Sequence, residues 1–103
     1  MEFMISYRVR ADCVTEHRRL LADVFAELDA LRPDGLRYAV RVLDDGCSYV
    51  DIVEGPDIPA ALAALPAFQR YRAKLEERCE TPISMSELTV VHAHAPDAAG
   101  RTG

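Results

Sequence analysis

The chain has 103 residues, half of them hydrophobic and 28% charged, which fits one globular domain and excludes a disordered chain. A net charge of −5 and a pI near 5.1 exclude a nucleic-acid binder that works through phosphate contacts. Cys13, Cys47 and Cys79 are odd in number and far apart, the N-terminal residues lack a basic stretch followed by an apolar run, and no uncharged stretch is long enough to span a bilayer. The expectation is a cytoplasmic chain without membrane contact.

In chain order, Phe3 to Val9 alternates as a strand, with Phe3, Ile5, Tyr7 and Val9 on one face. Thr15 is placed to cap a helix whose apolar stripe is Leu20, Leu21, Val24, Phe25, Leu28 and Leu31. Pro33 and Gly35 end it. Leu36 to Leu43 and Cys47 to Val53 form a hairpin around Asp44-Asp45-Gly46. A three-residue loop with Gly46 left-handed pairs Leu43 with Cys47 and Arg41 with Tyr49. That register sets Tyr38, Val40, Val42, Val50 and Ile52 on one face and Arg37, Arg41, Tyr49 and Asp51 on the other. A two-residue turn at Asp45-Gly46 would swap the facing.

Asp57 caps a short helix through Leu65, and Pro66 opens a second, since proline suits the first helical position. In that second helix Phe68, Tyr71, Leu75 and Cys79 form the buried stripe, while Arg70, Lys74, Glu77 and Arg78 face water. Glu87 to His94 reads as the last strand. Residues 1–94 make the domain, and residues 95–103, without an apolar anchor, are expected to be a flexible tail.

The order strand, helix, strand, strand, helix, strand implies an α+β, ferredoxin-like fold: a four-stranded antiparallel sheet with both helices on one face. The other face, expected to carry Val53 and Val91 among polar residues, would be covered by a second copy. That gives a homodimer joined sheet to sheet.

Three segments carry a resemblance: Gly35-Leu36-Arg37-Tyr38, Asp44 through Glu54, and Leu65 through Tyr71 with Leu75 through Glu80. Through them the chain resembles the dimeric α+β barrel superfamily, in particular its small antibiotic-biosynthesis-monooxygenase-like proteins. The resemblance implies sheets paired back to back into a barrel and a small molecule bound in each protomer. The implied activities are cofactor-free oxidation of polyketide quinol precursors, haem degradation or lactone isomerisation. The chain has no Trp, and Pro66 to Tyr71 lacks the histidines often found there in such proteins, so no catalytic residue carries over by match.

The candidate ligand-binding set is Arg37, Arg41, Tyr49 and Asp51, with Ser6 and Arg8 beside them. Guanidinium groups suit a carboxylate or enolate, and a phenol can donate to a developing oxyanion. The plainer reading of the same residues is a salt-bridged patch at the barrel rim. His17 is expected in solvent, and His92 and His94, on one strand face without a third ligand nearby, make no metal site. Cys13 stands four residues before His17, Cys47 beside the hairpin turn and Cys79 in the core, with no clear activating partner. Phe25, Tyr38, Phe68 and Tyr71 are core by their helical and strand spacing, though a tyrosine hydroxyl could open onto a pocket. The functional expectation is a homodimer that binds a small organic molecule. It would be a monooxygenase-like or isomerase-like enzyme that removes a proton from an activated carbon, with no cofactor and no metal. The alternative is a ligand-binding or structural dimer without catalysis, in which the space between sheet and helices is filled.

Overall fold

A computed structural model describes residues 1–96. β1 (Glu2–Arg8) leads through a single 3-10 turn, Ala11–Cys13, into α1 (Val14–Leu31). The hairpin of β2 (Arg37–Val42) and β3 (Ser48–Glu54) follows, then α2 (Ile58–Ala63), α3 (Pro66–Ala73), α4 (Leu75–Arg78) and β4 (Ser84–Glu87). The four strands form one antiparallel sheet in the order β2-β3-β1-β4, which is the expected ferredoxin-like topology.

The local chemistry explains most boundaries. α1 starts at Val14 with Cys13 as its N-cap, not at Thr15, because the 3-10 turn feeds directly into it. It ends where Arg32 adopts a left-handed conformation (φ 47°) and returns its N–H to the Leu28 carbonyl. The Asp57 carboxylate caps α2 through the Ala60 N–H, and Pro66 stands at the start of α3, separate from α2, as its fixed φ predicts. α3 and α4 are divided at Lys74, whose backbone leaves the helical region (φ −127°, ψ 28°).

The hairpin register differs from the three-residue-loop expectation by one residue. Val42 pairs with Tyr49, Val40 with Asp51 and Tyr38 with Val53. This is the register, and the facing, that the two-residue turn would have given, but the loop itself has four residues. The Leu43 N–H donates to the Ser48 carbonyl, the Gly46 N–H to the Leu43 carbonyl, and Gly46 is left-handed (φ 75°). Asp45 is the cause. Its carboxylate accepts from the Cys47 and Ser48 N–H groups at 2.8 Å each and from the Ser48 hydroxyl at 2.6 Å. Those bonds hold Cys47 inside the turn and pull the Asp45 pKa down to about 2.

Because side chains alternate with period two, the one-residue change moves all of β3 to opposite faces. Tyr49, Asp51 and Val53 lie beneath the helices, each nearly inaccessible to solvent, while Val50 and Ile52 face the open side. Val53 is therefore core, packed with Ile58, Leu62 and Leu65, and not part of the bare face. The larger core cluster joins Tyr7 and Val9 to Leu20, Leu21 and Val24 of α1 and to Tyr71 and Leu75. The open face presents Met4, Ala39, Val50 and Ile52 beside Ser6, Ser84, Ser86, Arg37 and Arg41.

The last strand is also displaced. β4 covers Ser84–Glu87, not Glu87–His94. Its ladder to β1 runs from Ser6↔Ser84 to Phe3↔Glu87, and the Leu88 N–H makes the final bond, to the Glu2 carbonyl. β1 begins at Glu2, so the apolar Val90 and Val91 run past the end of the sheet and are exposed. His92 and His94 accordingly lie on no strand. The domain boundary at residue 94 falls in this irregular stretch, and residues 97–103 of the expected tail lie outside the described residues. Among the described residues no helix is long and apolar enough to cross a membrane.

Candidate functional site

Asp51 stands in the middle of β3 on the helix side, opposite Ile5 of β1 and Val40 of β2. Two residues along those neighbouring strands are Tyr7 and Tyr38, the diagonal positions that long side chains bridge. Tyr71 descends onto the same point from α3. All three phenols donate to the one carboxylate: Tyr7 to Oδ1 at 2.8 Å, Tyr71 to Oδ2 at 2.8 Å and Tyr38 to Oδ2 at 2.9 Å. Asp51 is 1% exposed and takes part in none of the ion pairs among the described residues.

A buried carboxylate satisfied by neutral hydroxyls alone is electrostatically unusual. Burial pushes the Asp51 pKa above the ordinary carboxylate value, and the three phenols pull it part of the way back. Burial first, and then the negative charge of Asp51, drive the pKa of Tyr7, Tyr38 and Tyr71 far above that of a free phenol. The phenols therefore stay protonated as donors, and Asp51 is the proton-accepting group of the cluster.

Behind Tyr7 stands His17, in the first turn of α1 and fully buried rather than in solvent. Its Nε2 lies 3.1 Å from the Tyr7 hydroxyl, and its Nδ1 receives the Arg78 Nε–H at 3.4 Å. Burial, then the positive charges of Arg78 and Arg18, lower its pKa to about 4, so the imidazole is neutral at pH 7. Arg78 also departs from expectation: it is buried, and its Nη2 donates to the Tyr71 carbonyl at 2.6 Å. That carbonyl belongs to the last turn of α3, where helical partners run out.

Asp51, Tyr38 and Tyr71 form the polar end of a cavity of about 590 Å³ between the sheet and the shorter helices. The remaining wall is largely apolar, with Phe3, Ile5 and Val53 from the strands, Leu62, Phe68 and Leu75 from the helices, and Ile83 and Met85 from the β4 edge. The Arg72–Glu76 ion pair, 2.8 Å long, also contributes to the lining. Such a volume, with few polar groups converging at one end, suits a small flat organic molecule.

The four residues singled out from the sequence do not come together. Asp51 is the centre of the site. Tyr49 stacks on Tyr7 (centroids 5.7 Å apart, planes at 6°), but its hydroxyl accepts from Arg18 and borders a separate groove between α1 and β2. Arg37 and Arg41 lie across the sheet on the open face with Ser6 and Arg8, and Arg37 pairs there with Glu54 at 3.1 Å. Neither arginine lines the cavity. Sequence reasoning placed Tyr38 and Tyr71 in the core with a hydroxyl able to open onto a pocket, as they do, but missed their bonds to Asp51 and missed Tyr7, His17 and Arg78 as site residues. The available signal was that Tyr7, Tyr38 and Tyr71 all fall in apolar stripes, where a buried hydroxyl requires a partner.

No protein-family model and no curated protein matches the sequence. Solved structures do match the fold. An antibiotic biosynthesis monooxygenase is similar with a TM-score of 0.70 at 17% identity, covering 88% of this chain and 98% of its own. Rv0793 from Mycobacterium tuberculosis is similar with a TM-score of 0.67 at 22% identity, covering 91% and 97%. SnoaB, a cofactor-independent oxygenase from Streptomyces nogalater, is similar with a TM-score of 0.62 at 22% identity, covering 89% and 93%. The chain thus has the α+β, ferredoxin-like fold of the antibiotic-biosynthesis-monooxygenase-like proteins.

Proposed function

We propose that this protein is a cofactor-independent enzyme of the oxygenase or isomerase type, which takes a proton from a flat, enolisable organic molecule bound in the cavity. One observation carries the reading: a buried carboxylate that makes no ion pair among the described residues stands at one end of a largely apolar cavity large enough for such a molecule. In the proposed step Tyr38 or Tyr71 accepts the acidic C–H proton of the ligand while passing its own to Asp51. The enolate oxygen is then stabilised by the phenol that remains a donor. The resulting carbanion either reacts with molecular oxygen or is reprotonated at another carbon. The fold shared with SnoaB supports the first outcome.

The open cavity argues against the purely structural alternative, in which side chains would fill that space. We further propose that the open sheet face joins two copies. Its apolar centre (Met4, Ala39, Val50, Ile52) is flanked by the Arg37–Glu54 pair, the arrangement of a dimer interface with a polar rim. In that arrangement Arg37 and Arg41 would serve the interface.

Anthrone, a tricyclic ketone with an acidic methylene, tests the enzyme reading. It should bind to the wild type and be converted with one equivalent of oxygen to anthraquinone and water. Asp51→Asn should retain binding and lose at least about 100-fold in rate, as expected for loss of a positioned base. Equal rates for the two proteins would refute the role of Asp51.

A further inference from the structure

The buried cluster has an unequal count of contacts and protons. Five short polar contacts link its members: Tyr7, Tyr38 and Tyr71 each to Asp51, Tyr7 to Tyr71 (2.8 Å between hydroxyl oxygens), and Tyr7 to His17 Nε2 (3.1 Å). With Asp51 ionised, only the three phenol protons and one imidazole proton are present to fill them. Arg78 decides where the imidazole proton sits. Its Nε–H points at Nδ1, so Nδ1 must be an acceptor and Nε2 must carry the hydrogen. That hydrogen is donated to the Tyr7 oxygen, and the Tyr7 proton is left to go to Asp51.

We infer that His17, fixed by Arg78 in its Nε2–H form, is a positioning residue that commits the Tyr7 proton to Asp51 and leaves one unfilled proton place among Asp51, Tyr71 and Tyr7. The inference rests on the reading of Asp51 as the proton acceptor. The place is filled when Asp51 takes up a proton. Asp51 Oδ2–H then donates to Tyr71, Tyr71 turns to Tyr7, Tyr7 keeps its bond to Oδ1, and Tyr38 keeps its bond to Oδ2. All five contacts are then satisfied at once. The charged groups beside the cluster are Arg78 from α4 and Arg18 from α1, both next to His17, and the Arg72–Glu76 pair of α3 and α4, which shares the cavity lining with Asp51; the other titratable groups are the three phenols and Tyr49, packed on Tyr7 and His17.

Two measurements on the ligand-free protein test this. In 15N-histidine-labelled protein, with His17 identified by its loss in His17→Gln, long-range proton–nitrogen spectra at pH 7 should give a protonated Nε2 and a bare Nδ1. An Nδ1–H form or an imidazolium would overturn the inference. The Asp51 carboxyl carbon is then titrated in wild type, His17→Gln and His17→Leu. Gln keeps an N–H donor toward Tyr7 and should hold the midpoint within about half a pH unit. Leu removes the N–H whose donation to the Tyr7 oxygen strengthens the Tyr7 O–H as a donor to Asp51 and puts apolar surface in its place, and the midpoint should rise by about one unit, a tenfold change in proton affinity. An unchanged midpoint in His17→Leu, or an equal rise in both variants, would overturn it. Should His17→Leu fail to fold, the wild-type tautomer and the His17→Gln midpoint decide. Neither readout involves anthrone, so failure of the enzyme reading leaves these results standing, and the reverse also holds.

Discussion

Tyr71→Phe isolates one hydroxyl. The ring is 2% exposed and packs against Phe68 (centroids 5.7 Å apart) and beneath the Arg78 guanidinium (5.6 Å), and the Tyr71 carbonyl holds Arg78 Nη2; phenylalanine preserves all of these. The variant loses the 2.8 Å bond to Asp51 Oδ2 and the contact with the Tyr7 hydroxyl. A hydrogen bond to an ionised acceptor contributes about 1.5–3 kcal/mol, so a loss of about 2 kcal/mol is expected above the Asp51 midpoint. For a domain of this size that lowers Tm by roughly 8–16 °C. Below the Asp51 midpoint the partner is a neutral carboxylic acid, and the loss should shrink to about 1 kcal/mol. The sign follows from linkage. The Asp51 pKa is already raised in the folded state, so its ionisation costs stability as pH rises through the midpoint, and removing a donor increases that cost. Urea denaturation followed by circular dichroism, at fixed protein concentration on either side of the Asp51 midpoint found from the carboxyl-carbon titration, measures the difference. A loss under about 0.5 kcal/mol above the Asp51 midpoint, or one equal on both sides of it, would refute the description of Asp51 as a carboxylate held by phenols.

Two other perturbations probe different parts of the structure. His17 has a folded pKa of about 4 against an ordinary 6.5, so the stability from its neutral burial is complete above pH 6.5 and is lost as pH falls toward 4. The wild type should therefore lose stability relative to His17→Gln across that window, and parallel pH profiles would contradict the buried neutral imidazole. Val53→Ala should cost about 2–3 kcal/mol in denaturant, because the side chain is 1% exposed among Ile58, Leu62 and Leu65; a near-zero effect would return Val53 to the open face.

The element order, the antiparallel sheet and the break before Pro66 were legible from apolar spacing and proline geometry. The facing of β3 was open in the sequence between two registers, and one carboxylate decides it. Asp45 bonds to two backbone N–H groups and a hydroxyl, interactions that hydrophobic periodicity does not encode. The same blindness misplaced β4. Ile83-Ser84-Met85-Ser86 alternates over only four residues without a β-branched run, and pairs because the β1 edge is there to receive it, while the β-branched Val90 and Val91 reach beyond that edge. At the site, Asp51 was singled out for its supposed arginine neighbours and proved central for another reason. The rule that buried charges need compensation was sound for Arg37 and Arg41, which stay outside. It did not anticipate three neutral phenols from three separate elements converging on one carboxylate.

The arrangement of the tyrosines has a practical consequence. The chain has four tyrosines and no tryptophan, and all four stand on the helix side of the sheet. Three touch Asp51, and the fourth is stacked on Tyr7 with its hydroxyl on Arg18. Tyrosine absorbance and tyrosine fluorescence therefore arise entirely from this one neighbourhood. Any event that alters the cluster, whether proton uptake, ligand entry or loss of a single hydroxyl, will be visible in the native protein's own spectrum without an introduced label.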